Sequence, residues 1–173
     1  MVSVSEYTLS TGRQSFHDIT RDVEDAVGKS GVRDGIAVVF CPHTTTAITI
    51  NENADPDVTR DLVFALDATY PDRRGFRHGE GNSAAHLKSS CVGVSETVIV
   101  RDGALLLGTW QGIYFCEFDG PRSRRFYVKV METLAGRRRF WHDGALRFLR
   151  LSAVAEGRDH VQTRRHVGVR RRR

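Results

Sequence analysis

The run of strand-like segments between residues 95 and 132 constrains the fold most strongly. SETVIV (95–100) and ALLLGTW (104–110) flank the turn RDG, which is a strong signal for a β-hairpin. GIYFCEF (112–118) and RRFYVKVME (124–132) predict two further strands, separated by the turn-forming segment DGPRS. This part of the chain is therefore predicted to be entirely β.

The region before these strands combines helices with strands. Residues 18–31 carry apolar side chains at helical spacing, and Gly31 suits the C-terminus of a helix. A second helix is predicted through residues 57–70, with Pro56 at its first position and Asp55 as the N-cap. Three strands and a short helix complete this region: residues 6–10, 34–40 and 44–51, and residues 84–90. The order of these elements is an α+β pattern.

The positive charge of the chain is concentrated at its C-terminal end. Residues 137–173 hold twelve arginines against three acidic residues, a net charge of +9, whereas residues 1–136 carry −4. We therefore divide the chain into a domain over residues 1–136 and an Arg-rich extension that is expected to be partly disordered, with a weak helix at 140–153. The extension lacks interleaved aromatic residues, and the domain has no RNP, helix-turn-helix or zinc-finger pattern, so nucleic-acid binding is not expected.

Location and redox state are predicted from what the sequence lacks. It has no run of 18 apolar residues and no N-terminal signal-peptide pattern, which predicts a cytoplasmic protein without membrane contact. Cys41, Cys91 and Cys116 are widely spaced and form no C-x-x-C pair. They are expected to be reduced and mostly buried rather than joined in disulfides.

Three histidines of the domain stand beside predicted turns, together with acidic residues. His43 opens the strand TTTAITIN, Glu52 follows that strand, and His78, Glu80 and His86 lie in HGEGNSAAH. Neutral imidazoles with carboxylates suit Zn, Mn or Fe, and carboxylate oxygens alone suit Mg. The spacing matches no metal-binding helix signature. The residues therefore allow either a metal site or three separate structural histidines.

Several basic residues are candidates for binding a phosphate group. Gly120 and Pro121 predict a turn that projects Arg122 and Arg124, whose guanidinium groups can bind phosphate through two hydrogen bonds. Lys88 of the short helix could supply another donor. The alternative is that these are ordinary solvated surface cations.

Four further polar residues are considered: Gln111, Asp57 and Asp61 each have two interpretations, and His17 has a structural one. Gln111 satisfies backbone groups at a bulge or faces a ligand. Asp57 and Asp61 share one side of the second helix, either as part of a site or as a solvated face near Arg60. His17 precedes a helix start and is interpreted as structural.

Three segments resemble the signature blocks of the YjbQ family, also called the secondary thiamine-phosphate synthase family. They are HTTTAITINENADPDV, HGEGNSAAHLKSS and GALLLGTWQGIYFCEFDGPRSRR, and they occur in that order. The resemblance covers about residues 5–132. It implies a mixed, mostly antiparallel sheet curling toward a barrel, with two main helices and one short helix. It also implies homotrimers with sites near subunit junctions.

The resemblance further implies a transferase that joins the pyrimidine and thiazole phosphate precursors of thiamine and releases pyrophosphate. The family motif implies a site that holds a divalent metal (Zn, Mn or Mg) through His43, His78, His86 and Glu80. The residues assigned to catalysis are His43, Glu52 and Asp57. The residues assigned to the phosphorylated substrate are Lys88, Gln111, Arg122 and Arg124. The loop between Glu80 and Asn82 is shorter than in many relatives, so one metal ligand is in question.

Two other functions are compatible with the same residues. One is a metal-dependent hydrolase, and the other is a non-enzymatic trimer that binds a metal or a small ligand. The strand TTTAITIN is expected to act as a scaffold that holds His43 at one end and Glu52 at the other. For both ends to serve one pocket, a neighbouring subunit or the HGEGNSAAH loop must close it.

Overall fold

The computed structural model describes residues 4–133, and this part contains eight strands and three helices. The predicted helix at residues 140–153 and the predicted boundary at residue 136 lie outside the described residues. The elements are, in chain order, β1 (Val4–Ser10), β2 (Ser15–Asp18), α1 (Thr20–Ser30), β3 (Gly35–Phe40), β4 (Thr46–Glu52), α2 (Pro56–Thr69), α3 (Ser83–Val92), β5 (Ser95–Arg101), β6 (Ala104–Leu105), β7 (Gln111–Glu117) and β8 (Ser123–Glu132).

The strands form two antiparallel sheets. One sheet has the order β1-β8-β3-β5-β6, and the other has the order β2-β7-β4. Every strand pair within the described residues is antiparallel, and one of the sheets is a half-barrel. The predicted fold class, α+β with a mostly antiparallel sheet curling toward a barrel, is confirmed.

The main core lies between the two sheets and is closed by α1. Val23, Ala26 and Val27 form the buried face of α1, as the helical spacing predicted. They pack with inward-facing residues of both sheets, among them Phe115 of β7 and Phe126 of β8. The helix ends at Gly31, whose φ of 69° is the left-handed conformation that glycine adopts without strain.

The three-stranded sheet is buried on both faces, which explains why GIYFCEF is apolar without alternation. Phe115 points to the main core, whereas Tyr114 and Cys116 belong to a second cluster on the opposite face. Ala85 of α3 and Leu66 of α2 cover that second cluster. The sheet therefore carries α2 and α3 on its outer side.

The second helix begins as the sequence predicts. The Oδ1 atom of Asp55, the N-cap, accepts a hydrogen bond from the backbone N–H of Asp57 at 2.9 Å, and Pro56 occupies the first turn. No residue of α2 is fully buried, and its apolar residues Val58, Leu62 and Leu66 are only partly covered within the described part of the chain. Phe64 of this helix is 75% exposed.

Two local predictions were wrong. The predicted strand over residues 104–110 is limited to Ala104–Leu105, because residues 108–111 form a turn in which Gln111 N–H donates to Gly108 O at 3.0 Å. The strand β2 was missed, because its four residues are too few to show an alternating pattern. The hairpin turn was correct: Asp102 and Gly103 both have positive φ, as a type I′ turn requires.

The cysteines agree with the sequence-based expectation that they are unpaired and mostly buried. All three cysteines are free, and Cys41 and Cys116 are buried while Cys91 is exposed. Burial raises the pKa of the Cys41 and Cys116 thiols, which makes both poor nucleophiles. Within residues 4–133, no helix is both long enough and apolar enough to cross a membrane.

Candidate functional site

The helix α3 has two faces with different roles. Its buried face packs on the three-stranded sheet, where Ser89 Oγ donates a hydrogen bond of 2.6 Å to the carbonyl of Thr46 in β4. The buried residues are Ala84, Ala85, Lys88 and Ser89. The opposite face, at positions three and four residues apart, carries Ser83, His86, Leu87 and Ser90. The side chains of this second face line a depression of the surface.

The imidazoles of His78 and His86 meet at the N-terminal end of α3. Their ring centroids lie 5.0 Å apart, and their planes are nearly perpendicular at 84°. Both rings border a cavity of about 260 Å³ that we call the polar cavity. Its lining residues are Thr44, Thr45, His78, Glu80, Asn82, His86, Asp119, Arg122 and Arg124. The structure thus joins residues from the β3–β4 connection, the loop before α3 and the turn before β8.

Asp119 organises one wall of the polar cavity. Its Oδ2 atom accepts hydrogen bonds from Asn82 Nδ2 at 2.9 Å and from Arg122 Nη2 at 2.8 Å. Partial burial opposes the ionisation of Asp119, but these two hydrogen bonds outweigh it and hold the pKa of Asp119 below its usual value. Asn82 Oδ1 is buried and has no hydrogen-bond partner among the described residues.

A buried ion pair lies behind that wall. Arg124 donates from Nε to Glu117 Oε2 and from Nη2 to Oε1, both at 2.7 Å, and Nη2 also donates to Thr45 Oγ1 at 3.0 Å. The fully buried Glu117 also accepts from Thr11 Oγ1 at 2.8 Å and from the N–H of Asp119 at 2.8 Å. Burial alone would raise the pKa of Glu117, but these donors, Arg124 first, hold it below its usual value.

His43 directly precedes Thr44 and Thr45, which line the polar cavity, but His43 itself does not line it. Its Nε2 atom accepts a hydrogen bond of 3.0 Å from the backbone N–H of Arg125, at the start of β8. Burial and then the positive charge of Arg124 lower the pKa of His43, so the neutral imidazole is favoured. His43 therefore anchors the β3–β4 connection to β8 and leaves only Nδ1 free for another partner.

Glu52 and Asp57 lie at the other end of β4. A strand advances about 3.3 Å per residue, so the seven residues of β4 separate Glu52 from the polar-cavity end by roughly 20 Å. Asp57 is exposed and pairs with Arg60 at 3.1 Å, as the solvated-face interpretation expected. Within one subunit, these two carboxylates do not join the histidines.

Lys88 and Gln111 also lie outside the polar cavity. The buried ammonium of Lys88 pairs with Asp67 and donates to Gln14 Oε1 at 3.4 Å. Gln111 is exposed, and its Oε1 atom accepts from the N–H of Gly108 at 2.8 Å. Of the two interpretations of Gln111, this contact supports the one in which it satisfies the backbone.

Comparison with known proteins identifies the family. Residues 5–133 match the family model described as UPF0047 protein YjbQ-like. The chain belongs to this family. Over 123 residues it is 57% identical to the UPF0047 protein YugU of Bacillus subtilis (strain 168), covering 70% of this chain and 93% of that protein. It is 54% identical over 127 residues to the UPF0047 protein MJ1081 of Methanocaldococcus jannaschii, covering 73% and 92%.

Solved structures of YjbQ-like proteins share the fold. A YjbQ/UPF0047 family protein from Clostridium acetobutylicum is 58% identical, with a TM-score of 0.72 and coverage of 73% of this chain and 99% of that one. A protein of unknown function from Sulfolobus solfataricus P2 is 34% identical, with a TM-score of 0.73 and coverage of 77% and 99%. The predicted resemblance to the YjbQ family is confirmed.

His78, His86 and Glu80 of the YjbQ-like chain are of the donor types that bind divalent metals. Imidazole nitrogens bind Zn at about 2.0–2.1 Å, which puts two coordinating rings about 5 Å apart between centroids, and His78 and His86 match that separation. Glu80 borders the same cavity and supplies a carboxylate. Within the described range, however, no group of three His, Cys, Asp or Glu side chains is close enough to hold a metal ion. The donor types at this cavity nevertheless fit a divalent metal.

Sequence reasoning missed the carboxylates that organise the YjbQ-like site. Glu117 and Asp119 were not among the candidate residues, although they hold Arg124 and Arg122. One signal was present: Glu117 is the single acidic residue in the apolar run GIYFCEF, and a charged residue in a buried strand requires a partner. Phe76 and Leu87, which line the adjoining depression, gave no signal because isolated apolar residues are common on surfaces.

Proposed function

We propose that this YjbQ-like protein is a transferase that joins the pyrimidine and thiazole phosphate precursors of thiamine and releases pyrophosphate. The observation that carries a phosphate-bearing substrate is the polar cavity, in which Arg122 and two imidazoles face a volume of about 260 Å³. The particular pair of precursors follows from the resemblance to the secondary thiamine-phosphate synthase family.

The reaction needs stabilisation of a departing anion more than covalent help from the protein. The bond between the pyrimidine methylene carbon and the pyrophosphate oxygen breaks, and pyrophosphate leaves with the electron pair. The thiazole ring nitrogen then forms a bond to the methylene carbon. Positive groups directed at the leaving oxygens lower the barrier to such a step.

Arg122 is the residue best suited to contact the pyrophosphate. Its side chain is 49% exposed at the rim of the polar cavity, so a ligand can share its guanidinium group with Asp119. The N-terminus of α3, which begins at Ser83, lies beside the cavity and favours anions through its free N–H groups and dipole. Arg124 is committed to Glu117 and acts through its charge and through the position it gives Thr45.

A divalent metal (Zn, Mn or Mg) is proposed as the cofactor, held by His78 and His86 with Glu80. When bound, it would neutralise charge on the pyrophosphate oxygens. Its remaining ligands would come from phosphate oxygens or from a neighbouring subunit. His43, with Nε2 engaged by Arg125, supports the loop that carries Thr44 and Thr45.

The test measures metal content and pyrophosphate release on the same preparations. His78→Ala and His86→Ala are expected to lower bound metal by orders of magnitude while keeping the fold, because each removes one of few ligands. His17→Ala is the control, since His17 hydrogen-bonds Ser15 Oγ at 2.8 Å and does not line the polar cavity. Full metal occupancy in both site variants would overturn the metal assignment.

The activity arm supplies the metal-loaded protein with both precursors. Formation of thiamine phosphate together with stoichiometric pyrophosphate, lost in Arg122→Ala and kept in Arg125→Ala, is the expected result. Arg125 is a matched control because it is exposed and pairs with Glu6 outside the cavity. Cleavage of a single phosphorylated precursor would instead indicate a metal-dependent hydrolase. Tight binding without any product would indicate a non-enzymatic binding protein.

A further inference from the structure

A second cavity adjoins the polar cavity and has a different character. It has a volume of about 520 Å³, is open to solvent, and we call it the apolar cavity. Its lining residues are Phe76, His78, Ser83, His86, Leu87 and Ser90. His78 and His86 border both cavities, so the two imidazoles stand between them.

The two cavities differ in charge. Glu80, Asp119, Arg122 and Arg124 line the polar cavity, whereas none of the described residues that line the apolar cavity is acidic, lysine or arginine. Phe76 and Leu87 supply its apolar walls, and Leu87 is 39% exposed. A site with apolar walls on one side and a few converging polar groups on the other is the usual form of a small-molecule site.

Local structure explains how the apolar walls are presented. Leu87 and His86 lie on the exposed face of α3, whose other face is tied down by Ser89 and Ala85. Phe76 is held in the preceding loop by a turn in which its N–H donates to the carbonyl of Arg73 at 3.0 Å. The walls therefore belong to a fixed helix and a hydrogen-bonded turn.

We propose that one ligand occupies both cavities, with a phosphate or pyrophosphate group in the polar cavity and a planar aromatic ring between Phe76 and Leu87. This inference rests on the proposed function and makes it more specific: the ring-binding residues are Phe76 and Leu87, and Ser90 offers a hydroxyl to a ring nitrogen. The shared imidazoles then lie beside the atom that links the ring to the phosphate. Charge complementarity and the common wall are what favour one amphiphilic ligand over two separate ones.

Isothermal titration calorimetry of the full chain with three probes tests whether the phosphate and the ring of one ligand bind in separate cavities. The probes are inorganic pyrophosphate, the aminopyrimidine methanol without phosphate, and its pyrophosphate ester. Phe76→Ala and Leu87→Ala are expected to weaken binding of the ester by roughly 10-fold or more and to leave pyrophosphate affinity unchanged, since each removes apolar contact with the ring alone. Arg122→Ala is expected to weaken binding of the ester and binding of pyrophosphate by similar factors.

Leu106→Ala is the matched control, because Leu106 is 43% exposed and lines neither cavity. The proposal would be overturned if Phe76→Ala and Leu87→Ala lost equal affinity for the ester and for pyrophosphate, or lost affinity for neither. If Phe76→Ala fails to fold, Leu87→Ala decides the matter, and Leu87→Met is expected to restore binding. A change in molecular mass by light scattering in the Leu87 variant would show that a second copy covers the apolar cavity, which also overturns it.

The outcomes separate this inference from the proposed function. The wild-type protein could bind the ester but form no thiamine phosphate, while Phe76→Ala and Leu87→Ala lose affinity for the ester alone. That result would support the two-part site and refute the synthase activity. Turnover that is insensitive to Phe76→Ala and Leu87→Ala would support the synthase activity and refute the two-part site. Failure of all three probes to bind the wild-type protein would refute both.

Discussion

Replacing Arg124 with methionine leaves the carboxylate of Glu117 buried without its counter-charge. Glu117 is fully buried, and two of its hydrogen bonds, each 2.7 Å long, come from this guanidinium. Methionine keeps much of the length and apolar contact of the arginine stem but supplies no donor. The substitution therefore tests whether the ion pair stabilises the fold from inside the site wall.

The expected loss is large because only one partner is removed. Breaking a buried ion pair in this way costs about 3–5 kcal/mol, which for a chain of this length lowers the melting temperature by roughly 6–20 °C. Arg125→Met is the neighbouring control. Arg125 is 57% exposed and lies 3.6 Å from the half-exposed Glu6, so its loss should change stability by less than about 1 kcal/mol.

The pH dependence of stability provides a second, independent test of this prediction. The wild-type pKa of Glu117 lies below its usual value of 4.5, so its contribution to stability is present above that pH and is lost as the pH falls through the folded-state pKa. In Arg124→Met, burial without the cation raises the pKa of Glu117 instead. Protonation then relieves the buried charge, and the stability difference between variant and wild type should shrink between pH 7 and pH 4.

The assay is denaturant unfolding followed by circular dichroism at fixed protein concentration, at both pH values. Glu117→Gln combined with Arg124→Met should recover part of the loss at pH 7, because neither charge is then left unpaired. A loss below about 1 kcal/mol in Arg124→Met at pH 7, or a loss that does not depend on pH, would refute the reasoning.

Three further outcomes are expected. Gln111→Ala should cost about 0.5–1.5 kcal/mol through the lost hydrogen bond to Gly108 and leave pyrophosphate affinity unchanged, which titration calorimetry would check. We propose a homotrimer, so light scattering should give three times the chain mass of 19.4 kDa, and a wild-type monomer would contradict this. Phe64→Ser should weaken association of the subunits, because Phe64 is a large exposed apolar residue. A chain truncated after Gly157 should melt within a few degrees of the full chain, because relatives that match residues 5–133 are covered over nearly their whole length; a large drop in differential scanning calorimetry would contradict this.

Elements with strong local signals could be predicted from the sequence. Asp55 and Pro56 start α2, Gly31 ends α1, and Asp102 with Gly103 forms the hairpin turn, each through the backbone preferences of the residue itself. The strand β2 could not be predicted in this way. It exists because Ser15–Asp18 pair with β7, about a hundred residues further along the chain.

The candidate site was likewise predicted only where its residues lie near one another along the chain. The sequence singled out His78, Glu80 and His86, which are near one another along the chain and do border one cavity. Glu52 and Asp57 were assigned to the same site, but β4 carries them to its opposite end in the subunit. Whether a neighbouring subunit brings the two ends together stays a prediction.

The sequence by itself determined the α+β class, the family, and the residue types available for chemistry. Only the tertiary structure decided what each of those side chains is bonded to. Arg124 and Arg122 look alike in GPRSRR, yet one is held in the interior by Glu117 and the other remains half exposed at the cavity rim. The difference arises from the position in strand β8, because Arg124 points inward where β8 begins, toward the carboxylate of Glu117 and the hydroxyl of Thr45.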